Sequence, residues 1–458
     1  MKKTLTIIEI FNLALQNYQN KDYQSAIDLY SEVLKIEPNH VVTHSNLGTL
    51  FKELGNYQKA IECFEKITKI DPSYIRAYNN LGAIFQLLGE HQKSKKCFEK
   101  VIKIDPNHLS AHNNLGVIFQ NLNEYSKAEN CFQKAIEINP NYLNAHNNLG
   151  ALFQALGDYQ KAIDCYQKSI SLKPDDQVSR YSLGVMFHTI KQYENAAEQF
   201  KLINFKKSKS FLLSCLYKLN DKPTFFRELD NAIKQGEVNA TIGSLSSCSE
   251  VKYGIQRLNP FCKDPLKYVL KVNLAERYDF KNIFAKHIKN ILKEDILSSR
   301  KQGLLTNGHQ TAGNLFAKKN VFLDKIKNII NSEVENYQNH FKESEEGLIK
   351  SWPNSYSISA WLVSMKSGGK LKPHIHDYGW LSGSIYINVP PKLKTDSGNL
   401  VVCIDDQESE METNINKKKI IDVVTGSLCL FPSSLYHYTI PFESNEERIV
   451  LAFDVVPI

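Results

Sequence analysis

The segment NNLGAIFQLLGEHQKSKKCFEKVIKIDP, residues 79–106, carries the pattern that decides the fold of the first half of the chain. Its Leu-Gly step and its final proline recur every 34 residues, and the recurring glycines are Gly48, Gly82, Gly116, Gly150 and Gly184. Small residues let paired helices approach closely, and proline ends a helix because it lacks an amide hydrogen. We therefore predict a solenoid of helical hairpins with repeats at 7–40, 41–74, 75–108, 109–142, 143–176 and 177–210.

This pattern resembles the tetratricopeptide repeat, although Ser94 stands where the other repeats have alanine. A segment from Leu213 repeats the pattern four residues early, which predicts a degenerate seventh repeat or a capping pair. The serine-rich stretch TIGSLSSCSE, residues 241–250, is typical of a linker. The predicted domains are a solenoid at 1–236, a linker at 237–254 and a second domain at 255–458.

A set of carboxamide side chains occupies equivalent positions on the first helix of successive repeats. In tetratricopeptide arrays that helix lines the concave face. The set comprises Asn46, Asn80, Asn114, Asn148, Gln86, Gln120 and Gln154. A carboxamide both donates and accepts, so a ladder of them suits the main chain of an extended peptide. The ladder resembles those of arrays that present protein substrates to an attached enzyme, which implies a peptide or protein partner. The alternative is that asparagine is only tolerated on an exposed helix.

Charge and hydropathy argue against two other classes of partner. The net charge of +7 is spread over 56 Lys+Arg and 49 Asp+Glu without a basic stripe, so we expect no nucleic-acid binding. No apolar run approaches the roughly 18 residues of a spanning helix, and the first residues lack a signal-peptide pattern. We predict a cytoplasmic protein that does not bind membranes.

The second half of the chain changes from helical to strand periodicity. Asp279–Lys293 and Val321–Tyr337 have helical spacing, and 265–337 is predicted to be mostly helical. From Tyr356 onward, six short apolar segments bounded by Gly, Pro, Asn or Ser follow without helices between them. This predicts an antiparallel barrel or jelly roll, and an α + β multidomain protein overall.

Three histidines stand out among these predicted strands. His374 and His376 are two residues apart, so in an extended segment they point the same way and can share one metal ion. His437 has to come from a distant strand folded alongside. Three ligands on one face leave open positions for a cosubstrate and oxygen. Arg448 follows a hairpin turn, and its planar guanidinium suits a carboxylate in the same barrel.

The order of these residues resembles that of the iron(II)- and 2-oxoglutarate-dependent oxygenases. The resemblance covers about residues 255–458 and includes Ala360-Trp361, the LSG step at 381–383 and Gly426-Ser427-Leu428. This part of the chain is similar to the oxygenase domains that often follow tetratricopeptide arrays in bacterial proteins. The resemblance implies a double-stranded β-helix in which His374, His376 and His437 hold Fe(II). It also implies that Arg448 and Tyr386 bind the distal carboxylate of 2-oxoglutarate.

One position departs from the family pattern. The usual second ligand is a carboxylate two residues after the first histidine, but here that position is His376, with Asp377 one step later. We favour His376 because of its spacing and keep Asp377 as the alternative. The resemblance implies a dioxygenase that hydroxylates its substrate, with no catalytic residue beyond the metal and cosubstrate ligands. The alternatives are a non-catalytic tetratricopeptide scaffold with a cupin-like binding barrel, and a cupin-type metal dioxygenase without 2-oxoglutarate.

Overall fold

The computed structural model describes residues 5–205, 207–293, 299–300, 304–311, 313–317, 320–405 and 417–458. The chain forms two compact units, Met1–Ser208 and Lys209–Ile458. None of the helices in these ranges is long and apolar enough to cross a lipid bilayer.

The first unit consists of six pairs of antiparallel helices. Their bounds are α1 Ile7–Gln19, α2 Tyr23–Ile36, α3 Val41–Glu53, α4 Tyr57–Ile70, α5 Ile75–Leu87, α6 His91–Ile104, α7 Leu109–Asn121, α8 Tyr125–Ile138, α9 Leu143–Leu156, α10 Tyr159–Leu172, α11 Gln177–Thr189 and α12 Tyr193–Lys201. Each pair falls within one predicted repeat, and the predicted helical solenoid is confirmed. The last pair is shorter, and no proline follows α12 at the repeat position, which is Ser208.

The recurring glycines mark the points where the two helices of a pair meet. At Gly116, a Cβ atom would lie 2.6 Å from the Phe132 ring, and at Gly82 it would lie 2.8 Å from the Phe98 ring. Both rings are fully buried. The 34-residue glycine period therefore records one close helix contact per repeat, as predicted.

The histidines that recur in the repeats connect each hairpin to the turn before it. Nε2 of His44, His112 and His146 lies 2.9, 2.8 and 2.9 Å from the carbonyl oxygens of Pro38, Pro106 and Pro140, respectively. In the sixth repeat Arg180 donates to the equivalent carbonyl of Pro174 at 2.7 Å. These side chains satisfy a carbonyl that the end of a helix leaves unpaired, which gives them a structural role.

The second unit contains helices and ten strands. The helices are α13 Ser208–Lys218, α14 Lys222–Lys234, α15 Ala240–Tyr253, α16 Lys286–Lys293, α17 Val321–His340 and α18 Gly347–Lys350. The strands are β1 Leu270–Asn273, β2 Ser299–Arg300, β3 Leu305–Thr311, β4 Tyr356–Leu371, β5 Leu381–Asn388, β6 Leu400–Cys403, β7 Lys418–Ile421, β8 Ser427–Pro432, β9 Tyr436–Thr439 and β10 Arg448–Pro457. A helix pair, α13 and α14, lies where the seventh repeat was predicted, but almost all of it belongs to the second unit.

Two stretches differ from the sequence prediction. Residues 240–253, expected to form a linker, are the helix α15, in which Ile242, Leu245 and Cys248 are buried. Its serines favour a loop in isolation, but they are buried here, and Ser249 bonds to a carbonyl within the helix. The stretch 265–337, expected to be mostly helical, contains β1 and β3, because edge pairing with β8 and β4 overrides weak local preferences.

The strands form two antiparallel sheets. One has the order β1-β8-β5-β10-β4-β3-β2, and the other has the order β7-β6-β9. Side chains from both sheets share one core, with Tyr386 and Phe431 from the larger sheet and Leu400 and Val402 from the smaller one. Helix α17 belongs to the core on the other face of the larger sheet. A helical solenoid followed by antiparallel sheets confirms the predicted fold class.

Candidate metal centre

Three histidines meet between the two sheets. One potential ligand atom from each of His374, His376 and His437 lies within 4.8 Å of the others. His374 and His437 are also backbone partners, because the His374 amide donates to the His437 carbonyl at 3.3 Å and the reverse bond is 3.0 Å. His437 lies on β9, and that strand pairs with β6. The sheet therefore fixes two of the three imidazoles by main-chain hydrogen bonds.

The Nδ1 atom of each imidazole has an oxygen neighbour. His374 Nδ1 lies 2.9 Å from the Lys372 carbonyl oxygen, and His437 Nδ1 lies 3.5 Å from the Leu435 carbonyl oxygen. His376 Nδ1 lies 2.6 Å from Oδ1 of Asp454. Such contacts favour the tautomer with hydrogen on Nδ1, which leaves Nε2 of each ring as the atom with a free lone pair.

Burial keeps two of these imidazoles neutral. Burial and repulsion from His376 lower the pKa of His374 to about 4. Burial and the two neighbouring histidines lower the pKa of His437 well below its ordinary value. Burial also disfavours charge on His376, but the Asp454 carboxylate outweighs it and raises that pKa. Neutral imidazole is the form that binds metal ions, so His374 and His437 are in the binding form at neutral pH.

A small polar network holds His376. Asp454 is 7% exposed, and its Oδ1 accepts a hydrogen bond from Ser382 Oγ at 2.8 Å. Ser382 Oγ also lies 2.8 Å from Ser433 Oγ. Sequence analysis missed Asp454 and both serines. The one signal for Asp454 is its position as the only charged residue after Arg448 in the apolar strand β10.

Asp377 does not join the cluster. Its Oδ1 accepts a hydrogen bond from Thr241 Oγ1 at 3.4 Å, and α15 carries that threonine. The ligand atoms that come together among the described residues are those of the three histidines. The chain therefore brings the i, i+2 pair into the centre, and the carboxylate one step later lies outside it.

Arg448 lies in the same cavity as the histidines, at the start of β10. It is 1% exposed, and its guanidinium carbon lies 5.0 Å from the centre of the Tyr386 ring. Its Nε has no hydrogen-bond partner, and no carboxylate pairs with it in the described parts of the chain. Burial lowers the pKa of the guanidinium, and Tyr386 partly opposes this. A buried cation without a counter-ion costs stability unless a ligand supplies the negative charge.

The remaining cavity wall is largely apolar and aromatic. It includes Trp361 on β4 and Phe431 on β8, and the Trp361 ring lies edge-on to His376 with 5.3 Å between ring centres. Gln310 contributes a polar side chain. Gln310 was not among the predicted site residues, because the segment Asn307–Thr311 has the composition of a turn; it lies on β3, between β4 and the edge strand β2.

Comparisons with known families agree with this division of the chain. Residues 359–454 match the family model described as "Putative 2OG-Fe(II) oxygenase". Models of the tetratricopeptide repeat match 9–36, 48–89, 75–108, 110–142 and 143–176. The chain carries tetratricopeptide repeats and a 2OG-Fe(II) oxygenase-family domain. No curated protein matches it.

Solved structures similar to this chain include some that are described as tetratricopeptide repeat proteins. A crystal structure of MamA has 24% identity and a TM-score of 0.35, and covers 37% of this chain and 92% of its own. A repeat protein from Parabacteroides merdae has 18% identity and a TM-score of 0.42, and covers 52% and 96%. YrrB, described as a TPR protein with an unusual peptide-binding site, has 18% identity and a TM-score of 0.34, and covers 42% and 97%.

The asparagines of the tetratricopeptide array are half-buried and already hydrogen-bonded in part. Asn46 donates to the Tyr30 hydroxyl at 3.4 Å. Asn80 accepts a bond from Lys52 at 2.7 Å and donates to the Arg76 carbonyl at 3.0 Å. Each of these contacts uses only part of the carboxamide. The ladder residues therefore stabilise the array and still have hydrogen-bonding capacity for a ligand.

Asn113, which is not itself a ladder residue, connects the ladder residues Asn148 and Asn114. Asn148 donates to Asn113 Oδ1 at 2.9 Å, and Asn113 donates to Asn114 Oδ1 at 3.3 Å. The predicted glutamines are also half-buried, and Gln154 accepts a bond from the Tyr166 hydroxyl at 3.2 Å. Asn114 Nδ2 and Asn148 Oδ1 take no part in these contacts, so the polar edge of the array keeps groups of both kinds for a peptide main chain.

Proposed function

We propose that the chain is an Fe(II)- and 2-oxoglutarate-dependent dioxygenase whose repeat array binds a peptide or protein. The observation that carries the proposal is the pairing of two unusual features in one cavity. Three imidazoles converge there, and so does the buried, unpaired guanidinium of Arg448. Each feature alone has a structural explanation, but together they match a site for a metal and an anionic cosubstrate.

The residues present fit a divalent iron. His374, His376 and His437 would hold the ion, since imidazole suits Fe(II) and three protein ligands leave coordination positions open. The unshared Nε2 atoms and the neutral state of His374 and His437 support this assignment. Asp377, the alternative second ligand, is bonded to Thr241 instead.

The residues also fit 2-oxoglutarate. Arg448 would pair with the distal carboxylate, and Nε is the donor that this buried side chain has left over. Tyr386 is fully buried beside the guanidinium, and burial raises its pKa, so its hydroxyl stays protonated and can donate to the same carboxylate. The dicarboxylate would thereby neutralise a charge that no carboxylate pairs with among the described residues.

The rest of the cavity orients these groups and excludes water. Phe431, Leu400 and Val450 provide apolar walls, and Trp361 shields one edge of His376. When bound there, Fe(II) with 2-oxoglutarate and oxygen supplies the oxidative decarboxylation that yields succinate and CO2 and hydroxylates a C–H bond. The contribution of the chain itself is positioning, since we assign no side chain a proton-transfer step.

The decisive experiment measures succinate formed by the purified full chain with Fe(II), ascorbate and 2-oxoglutarate. We expect turnover in the wild type and its loss in His437→Ala and in Arg448→Ala. His309→Ala is the matched control, because His309 is exposed on β3. Equal turnover in all four proteins would refute the site. If the wild type shows no turnover under any condition, a scaffold with a non-catalytic barrel is favoured.

The partner proposal rests on the repeats. Tetratricopeptide matches cover most of the first unit. The carboxamide ladder of the array keeps both hydrogen-bond donors and acceptors. An extended peptide would be recognised chiefly through its main chain, because the ladder repeats one chemical group rather than a series of side-chain pockets. We therefore propose that the substrate is a polypeptide and that the product is the same polypeptide hydroxylated at a C–H bond.

A further inference from the structure

A carboxylate lies behind one of the proposed metal ligands, in contact with its imidazole. In the usual site an acidic side chain is the second ligand, whereas this chain has His376 there and Asp454 against the far side of its ring. His376 Nδ1 and Asp454 Oδ1 are 2.6 Å apart, although the residues are 78 apart in the sequence. This contact has no counterpart at His374 or His437, whose Nδ1 atoms face main-chain carbonyls.

Several contacts hold Asp454 in this place. It lies opposite Ser382 in the pairing of β10 with β5, and the Ser382 hydroxyl donates to its Oδ1. The turn that carries His376 is tied to the same strand, because the Trp380 amide donates to the Val455 carbonyl at 2.7 Å. A Cβ on Gly379 would lie 2.5 Å from Ser433 Oγ and 3.2 Å from Asp454 Oδ1, so the turn approaches the network closely.

We infer that Asp454 is a positioning residue for the metal ligand His376 and replaces, from behind the imidazole, the negative charge that the usual carboxylate ligand supplies. The inference rests on the proposed metal site. Three imidazoles carry no negative charge toward a divalent ion. A carboxylate that accepts the Nδ1 hydrogen makes the imidazole a stronger donor and fixes its orientation, and such an outer partner typically changes metal affinity about 10- to 100-fold.

The test measures binding of Co(II), as a spectroscopic substitute for Fe(II), to the full-length wild type and four variants. Asp454→Ala removes both the charge and the contact, and we expect its dissociation constant to rise about 10- to 100-fold. Asp454→Asn keeps a side chain of the same shape without the charge. Ser382→Ala leaves the carboxylate in place but removes the hydroxyl that donates to it and that lies 3.2 Å from His376 Nδ1. We expect smaller losses in that order, together with a shift of the Co(II) ligand-field absorption bands in both Asp454 variants.

Asp377→Asn is the matched control, since it also removes one negative charge near His376, but from a side chain that bonds to Thr241 rather than to the His376 ring. We expect its affinity to change much less than that of Asp454→Asn. Equal losses in the two would show that net charge alone matters and would overturn the positioning role. The thermal midpoint of each variant shows whether it folds, and if Asp454→Ala does not, Asp454→Asn and Ser382→Ala decide.

Failure of this inference differs from failure of the metal site. If the wild type binds Co(II) and the Asp454 variants bind it equally well, Asp454 has no positioning role and the metal site stands. If the wild type does not bind Co(II), the metal site fails, and the positioning role fails with it. If the wild type binds and the variants weaken in the stated order, both are supported.

Discussion

The helical array and the sheet domain hold their candidate binding groups in opposite ways. In the array, one chemical group recurs at a fixed interval, and its rungs are half-buried and bonded to near neighbours. In the sheet domain the groups do not recur at an interval. His437 and Arg448 are buried, His374 and His376 are half-buried, and His376 is held by Asp454, a residue far away in the sequence. The proposed function would therefore be distributed over equivalent positions in the array and concentrated in a few single groups in the sheet domain.

This difference predicts how each region responds to substitution. A single change in a repeated surface removes one of several equal contacts, and additive losses of about 1 kcal/mol are expected. A single change in the metal centre removes a unique ligand or counter-charge. Substitutions in the sheet domain should therefore have large, specific effects on binding, and those in the array small or structural ones.

The largest effect is expected for His437→Ala. The loss of one of three ligands should weaken Co(II) binding by more than the ~100-fold that marks the upper range for loss of an outer partner. Equilibrium titration followed by absorption measures the change, with His309→Ala as the control. Retained affinity in His437→Ala would break the comparison, because the centre would then tolerate the loss of a unique group.

Arg448→Met should have two effects of opposite sign. Binding of 2-oxoglutarate to the Mn(II)-loaded protein should weaken about 10- to 100-fold, since charged hydrogen bonds contribute about 1.5–3 kcal/mol. Stability without ligands should rise by up to about 1–4 kcal/mol, because an apolar side chain replaces a buried, unpaired charge. Thermal unfolding with and without 2-oxoglutarate measures both quantities. A lower midpoint in the ligand-free variant would contradict the view that Arg448 lacks a counter-ion among the described residues.

Gly116→Ala tests the packing of the array rather than its binding. The new methyl group would lie 2.6 Å from the buried Phe132 ring, so we expect a loss of about 1–3 kcal/mol despite the better helix propensity of alanine. Asn121→Ala, at an exposed position of the same helix, is the control and should be neutral or slightly stabilising. Denaturant unfolding gives both values, and equal stability of the two variants would contradict the close-contact explanation.

Replacement of Asn80, Asn114 and Asn148 by alanine together should weaken peptide binding about 10- to 100-fold, because three net hydrogen bonds of about 0.5–1 kcal/mol each are lost. Peptides selected on the wild-type chain from a random library serve as probes, and fluorescence anisotropy measures their affinity. Asn107→Ala with Asn141→Ala is the control, since these exposed residues lie in turns. Unchanged affinity in the triple variant would remove the ladder from the proposed function.

The smallest effect is expected for His112→Ala. The loss of one hydrogen bond to the Pro106 carbonyl should lower stability by about 1 kcal/mol, and peptide binding should not change. His112→Gln keeps a donor and should recover part of the loss. A large fall in peptide affinity in His112→Ala would assign this histidine to binding instead of structure.

The sequence was sufficient where structure is local or repeated. The six helix pairs followed from a glycine and proline period, because each repeat mostly contacts the next. The order of His374, His376, His437 and Arg448 along the chain also indicated their convergence. The preference for His376 over Asp377 followed from the period of an extended strand, in which residues two apart share a face.

What the sequence did not reveal depends on distant pairing. Asp454 meets Ser382 through strand register, and the two are 72 residues apart. Gln310 reaches the cavity because strand β3 forms where composition indicates a turn. Helix α15 was missed because its serines, typical of loops, are buried by tertiary contacts. Such positions are set by the assembled sheet and have no local signature.

The backbone bridge between His374 and His437 has a consequence for how the protein matures. These two residues lie about sixty positions apart, and they become neighbours only when β9 has joined the smaller sheet. Before that, the nascent chain offers an ion little more than a two-histidine chelate, and closing the intervening loop costs entropy. Metal binding would therefore come late in folding. An ion bound by all three histidines would then stabilise the pairing of β9 within the smaller sheet.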